Sequence, residues 1–137
     1  AADAADTEPA EIPAATREPA EALSPLLERV ADICSARGVQ PVIVFDPAVY
    51  VDGEGEAYTG TDADCLAAFE SVCAENGIVF IDLTDSYIRE YAGSCQLPYG
   101  FVNTTPGEGH MNRVGHRLFA QEVYETIKAL EEEQNGI

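Results

Sequence analysis

Between residues 26 and 34 the apolar side chains Leu26, Leu27, Val30, Ile33 and Cys34 fall at helical spacing, the stripe that marks one face of an amphipathic helix. Ser24 and Pro25 read as the N-cap and first turn of this helix, and Arg37-Gly38 as its close. A serine oxygen can take up a free backbone N–H at a helix start, and glycine accepts the left-handed turn that ends one. The period then changes. Val39 to Phe45 is an apolar run interrupted only by Gln40 and Pro41 and ended by Asp46-Pro47, as expected of a strand buried on both faces.

From Asp46 to Gly60 the chain carries glycines, prolines and acids, which predicts a long loop at the strand's C-terminal end, where sites in α/β folds are often built. Thr61 with Asp64 three residues on resembles a capping box, and Cys65, Ala68, Phe69, Val72 and Cys73 form the stripe of a second helix that stops at Asn76-Gly77. Ile78 to Asp82 reads as a second buried strand. Thr84 or Asp85 would cap a short helix through Tyr91, and Gly93 to Gly109 lacks periodicity and reads as loop. Val114, Leu118, Phe119, Val123, Tyr124, Ile127 and Leu130 then mark a long closing helix, with Asn112 as N-cap and Asn135-Gly136 past its end.

Helix and strand alternate in this order, which predicts an α/β fold with a short parallel sheet flanked by helices. Two strands stand out, with Tyr99 to Asn103 a third candidate, and a sheet so small is a poor independent core. Either further strands belong to it outside these residues, or a second copy of the chain covers the open edge as a homodimer.

Residues 1–22 are dominated by Ala, Glu, Pro and Asp, with Pro9, Pro13 and Pro19 spaced against any helix of useful length. They read as a linker or tail, and residues 23–137 as the folded domain. Composition adds one strong constraint. With 25 acidic against 7 basic residues, a net charge of −18, the chain has no basic stripe with which to neutralise a phosphate backbone, so nucleic acid is excluded as a partner. No apolar stretch is long enough to span a bilayer, so a soluble chain is expected.

The four cysteines Cys34, Cys65, Cys73 and Cys95 contain no C-x-x-C pair and no metal-ligand spacing, and neither a metal nor another cofactor is expected. Cys34, Cys65 and Cys73 fall on apolar helical positions and read as buried free thiols, with Cys95 in a loop.

The chemistry-bearing segment is Gly100-Phe101-Val102-Asn103-Thr104-Thr105-Pro106-Gly107-Glu108-Gly109-His110-Met111-Asn112-Arg113-Val114-Gly115-His116. Gly107 and Gly109 let the backbone take positive φ, so that the His110 imidazole can project from a loop. Asn112 anchors that loop to the closing helix. Gly115, in the first helical turn, leaves room for a neighbouring backbone to approach closely. Asn103 reads as a loop-bracing amide, and His116 as a residue with a structural hydrogen bond. Asp46 and Asp82, at the strand ends, either face the site or cap loops and helices.

The run G-H-x-N-x-x-G-H-x-x-x-A at the head of the last helix resembles the histidine block of the SGNH or GDSL hydrolase superfamily of esterases and acyltransferases. The resemblance covers roughly residues 24–132 and is sharp over 100–120. It implies the C-terminal half of a flavodoxin-like, three-layer sandwich. By position, His110 would be the general base toward a serine, and Glu108 an irregularly spaced orienting carboxylate. The family's G-D-S serine and oxyanion-hole donors have no counterpart here, so the nucleophile is unknown. Among Ser24, Ser35, Ser71, Ser86 and Ser94 only Ser94 is expected in a loop.

The resemblance implies a fragment of an ester hydrolase or O-acyltransferase, inactive alone. Its substrate would be an acylated small molecule or glycan, and its location extracytoplasmic. The alternative from the residues themselves is a non-catalytic α/β interaction domain that dimerises through its open edge.

Overall fold

The computed structural model describes residues 14–101 and 104–136. The elements follow as α1 (Ala14–Glu21), α2 (Ser24–Ser35), β1 (Val42–Phe45), β2 (Val49–Val51), β3 (Ala57–Thr59), α3 (Ala63–Glu75), β4 (Val79–Asp82), α4 (Thr84–Ser94) and α5 (Arg113–Asn135). β1 and β4 pair in parallel, Val42 opposite Val79 through Phe45 opposite Asp82. The fold is α/β, a short parallel sheet flanked by helices.

Successive strand residues point to opposite faces of a sheet, and this splits the interior in two. Ile43 and Phe80 pack with Ala20, Leu27, Ala68, Val72 and Cys73 of α1, α2 and α3. Val44 and Ile81 pack on the other side with Val49, Leu83, Tyr87 and Leu118. The sheet is therefore the middle of three layers.

β1 is not buried on both faces as its run of apolar residues predicts; Ile43, Val44 and Phe45 are half-buried and Val42 is exposed. Its one partner among the described residues is β4, so one edge stays open and the flanking helices cannot enclose it. Along α2, Leu27 is buried while Leu26, Val30 and Ile33 remain exposed.

The stretch read as loop from Asp46 to Gly60 contains a hairpin, β2 against β3, with Val49 opposite Thr59 and Tyr50 opposite Tyr58. Its glycines and acids belong to the turn alone: the Asp52 side chain accepts from the N–H groups of Glu54 and Glu56 at 2.8 and 2.9 Å. Val49 is buried against the core while the Tyr50 and Tyr58 rings meet tilted on the outer face, centroids 5.6 Å apart.

Residues 14–21, expected to lack a helix, form α1 with Pro19 inside it. Docking on α3 outweighs the missing N–H. Ala20 is buried there and Arg17 donates to Glu75 at 3.1 Å. Residues 1–13 lie outside the described part.

Three caps differ from the sequence expectation. Ser24 makes no cap bond and instead accepts from Asn76 Nδ2 at 3.3 Å, joining α2 to the end of α3. Asp62 rather than Thr61 caps α3, accepting from Cys65 N–H at 2.9 Å. Neither Thr84 nor Asp85 caps α4; the Asp82 carboxylate accepts from Thr84 N–H at 2.8 Å. A carboxylate near the expected hydroxyl, one residue later at Asp62 and two residues earlier at Asp82, reaches a free N–H as well as a hydroxyl does and also favours the positive helix end.

α4 also runs past Tyr91 to Ser94, and Cys95 ends it with φ of 54°. Tyr99, read as the start of a third strand, makes only an isolated antiparallel bridge to Met111. α5 follows its expected bounds, capped by Asn112 and closed by Gly136. Of the cysteines, Cys73 is buried and Cys34 half-buried, whereas Cys65, expected inside, is exposed, as is Cys95. No described helix is long and apolar enough to cross a membrane.

Candidate functional site

The site is assembled on α5. Asn112 Oδ1 accepts from Val114 and Gly115 N–H at 2.8 and 3.2 Å, satisfying two of the helix's free donors. Its Nδ2 donates to the carbonyls of Leu97 and Gly100 at 2.8 and 3.2 Å. One side chain thus fixes both the helix start and the loop that crosses it. Two backbone bonds complete the crossing, from Asn112 N–H to Pro98 O at 2.9 Å and from Gly100 N–H to His110 O at 3.1 Å.

Gly107 and Gly109 take φ of +82° and +92°, the left-handed region that admits glycine freely. Gly100 has φ of +89° and leaves no room for a side chain, since a Cβ there would lie 3.0 Å from the Thr105 carbonyl oxygen. The result is a folded glycine turn with His110 exposed at its exit.

A carboxylate ties this turn to the sheet. Asp46 follows β1 directly, and its Oδ1 accepts from the Tyr87 hydroxyl at 2.7 Å and from the Tyr99 hydroxyl. Tyr87 is fully buried and its ring meets Tyr99 edge to face, centroids 6.1 Å apart. Both phenols are pushed well above their ordinary pKa, first by burial and then by the Asp46 carboxylate, beside which a phenolate is disfavoured. Tyr99 lies between the two backbone bonds to the His110 segment. His110 is therefore held at the C-terminal end of the parallel sheet, where open α/β sheets take their ligands.

Sequence reasoning placed Asp46 at a strand end and left its role open between facing the site and capping. The structure gives it neither a helix nor a turn to cap. Its tyrosine partners went unremarked, although a phenol that is buried needs a hydrogen-bond partner. Asp82, the other strand-end acid, accepts from Thr84 N–H in the turn that leads into α4.

The remaining expected residues are less joined. Glu108 is exposed, donates its backbone N–H to Thr105 O at 3.1 Å, and makes no hydrogen bond to His110. His116 is exposed in α5, and its ring makes no hydrogen bond with a described residue. Asn103 lies outside the described residues.

No serine approaches an imidazole as a hydrogen-bond partner among the described residues. Ser94, helical rather than in a loop, donates to the Glu90 carbonyl at 2.9 Å and to its carboxylate at 3.0 Å. Ser71 bonds Glu75 at 3.2 Å, and Ser86, buried between α4 and α5, donates to Glu122. Glu90 also receives Arg117 at 2.7 Å, which with Ser94 holds its carboxyl below the usual range. The Ser71, Ser86 and Ser94 hydroxyls are each committed to a contact within a helix or between helices.

Beside the glycine turn lies a shallow cleft of about 260 Å³, walled by Leu97, Tyr99, Phe101, Pro106, Gly107 and Val114. A larger hollow of about 530 Å³ opens at the other ends of the strands, around Gly38, Pro41 and Gly77, and is lined by no histidine or cysteine. Among the described residues no group of three or more His, Cys, Asp or Glu side chains converges as a metal site.

Compared with models of protein families, with curated proteins and with solved structures, the chain matches none.

Proposed function

We propose that this chain is the histidine-bearing part of an ester hydrolase or O-acyltransferase whose nucleophilic hydroxyl lies outside these residues. The observation that carries the reading is the exposed His110 imidazole, set on a glycine turn at the C-terminal end of a parallel sheet; the cleft beside that turn has both apolar walls and the polar Gln96 and Asn112. The likeness of residues 100–120 to the SGNH histidine block supports the same role.

In this reaction the hydroxyl oxygen bonds to the acyl carbon while its proton passes to His110. The bond to the leaving alkoxide then breaks and the alkoxide takes that proton. Glu108 is the carboxylate at hand to orient the ring. It makes no such bond in the free chain, and catalytic hydrogen bonds of this kind often tighten only with substrate bound. The substrate in this reading is an acylated small molecule or glycan, met outside the cytoplasm.

The test is turnover of a short-chain acyl ester. The chain alone is inactive under this reading, whereas a polypeptide that joins it to its serine-bearing part loses on the order of 10² to 10⁴ in rate on His110→Ala. Turnover by the chain alone that disappears in His110→Ala overturns the reading and points to a nucleophile within these residues.

A second reading is favoured by the open β1 edge and by Leu26, Val30 and Ile33 exposed on α2: a non-catalytic domain that pairs with a copy of itself. Sedimentation decides it. A strict monomer at high concentration removes this reading and leaves the first untouched.

A further inference from the structure

Two phenols share one carboxylate oxygen at the tip of β1, and only one of them belongs to the segment that carries the histidine. Tyr87 sits in α4, on the rigid side of the interior, with none of its side chain exposed. Tyr99 sits in the loop segment that crosses the start of α5, bridged to Met111 and flanked by the bonds that Pro98 and Gly100 make with Asn112 and His110. Within that crossing the contacts are local to the segment pair: the Asn112 amide to Leu97 and Gly100, and Gly115 beneath Pro98. They lock residues 97–100 onto residues 110–115, and the pair meets the sheet through the apolar packing of Leu97, Tyr99, Val114 and Leu118 against Val44 and Ile81.

Among the described residues the polar link to the end of β1 is the Tyr99 hydroxyl on Oδ1 of the exposed Asp46 carboxylate. A hydrogen bond to a charged acceptor is stronger than a neutral one and directional, whereas the apolar packing of Leu97, Tyr99 and Val114 around it is not directional. Tyr87 donates to the same oxygen at 2.7 Å from the opposite, buried side.

From this arrangement we infer that Asp46 is a positioning residue for His110: through Tyr99 it fixes the histidine turn at the end of β1. The inference rests on the role proposed above for His110, but the test reads the position of the turn and not catalysis. An inactive protein would still answer it.

The experiment is backbone relaxation by NMR on the full chain, with the His110 and Gly109 amides as reporters and His116, in the first turns of α5, as internal reference. In Tyr99→Phe the ring remains and only the hydroxyl is lost. The order parameters of His110 and Gly109 fall from the rigid range near about 0.85 toward the flexible range below about 0.6, while His116 stays unchanged. Asp46→Ala gives the same fall, and Asp46→Asn, which keeps an acceptor oxygen, restores the rigid value.

Tyr87→Phe is the control for a merely structural role. It removes a hydroxyl from the same oxygen yet leaves the Tyr99 link, so it lowers the melting temperature without the loss of order at His110. Rigid His110 and Gly109 amides in folded Tyr99→Phe overturn the inference, as does an equal loss of order in Tyr87→Phe. Should Asp46→Ala fail to fold, the two phenylalanine variants decide the matter alone.

Discussion

Gly115 and Pro98 meet backbone to backbone: a Cβ built on Gly115 would lie 2.4 Å from the Pro98 carbonyl oxygen and 2.5 Å from Met111 Cγ. The methionine can swing away. The carbonyl cannot do so freely, because it accepts from Asn112 N–H at 2.9 Å.

Gly115→Ala is therefore expected to destabilise the protein although alanine is the better helix former by about 1 kcal/mol. Overlap with a fixed backbone group costs about 1 to 3 kcal/mol and more where nothing can yield. Urea unfolding followed by circular dichroism measures the difference. A gain in stability would mean that the loop and α5 do not touch here.

Asn112 closes two structures at once, so its loss should exceed that of an ordinary cap. Asn112→Ala is expected to cost about 2 kcal/mol, the upper end of the range for caps. Asn112→Asp keeps the oxygen that accepts from Val114 and Gly115. It recovers only part of the loss, since its second oxygen then faces the Leu97 and Gly100 carbonyls that now receive the amide. Full recovery in the aspartate variant would deny the amide its bracing role.

Alkaline pH should weaken the fold through the tyrosine pair. In the unfolded chain these phenols ionise near pH 10, while in the fold burial and Asp46 push both upward. The folded state thus keeps protons that the unfolded state gives up. The stabilising contribution is complete below about pH 10 and is lost as pH rises through and above that value. An ultraviolet phenolate titration should find two of the six tyrosines ionising only as the protein unfolds. The fall in stability between about pH 8 and about pH 11 should shrink in Tyr87→Phe.

The thiols should separate by accessibility. Cys65 and Cys95 are exposed, Cys34 is half-buried and Cys73 is fully buried. Burial, with Glu70 nearby, pushes the Cys73 thiol up and away from the reactive thiolate. Alkylation of the native protein followed by peptide mapping should label Cys65 and Cys95 first and leave Cys73 unmodified until denaturant is added. Labelling of Cys73 at the rate of Cys95 would contradict the core as described.

Local rules explain which features were readable. The α5 boundaries, the Asn112 cap and the positive φ of Gly107 and Gly109 depend on a few neighbouring residues. Sequence holds that information directly. The hairpin of β2 and β3 was missed because three-residue strands carry too short an alternation to stand out against the glycines and acids of their own turn. α1 was missed because its reason for being helical is contact with α3, more than forty residues away in the chain.

By itself, then, the sequence determined the alternation of helix and strand, the ends of the long helix and the glycine turn that presents His110. Each follows from backbone conformational preference and from hydrophobic period, both local properties. The tertiary structure alone decided that Asp46 would meet Tyr87 and Tyr99 rather than cap a helix, and that Ser24 and Ser86 would be spent on interhelical contacts. A hydrogen bond between residues 41 and 53 positions apart follows from how the layers pack, and no spacing along the chain encodes it.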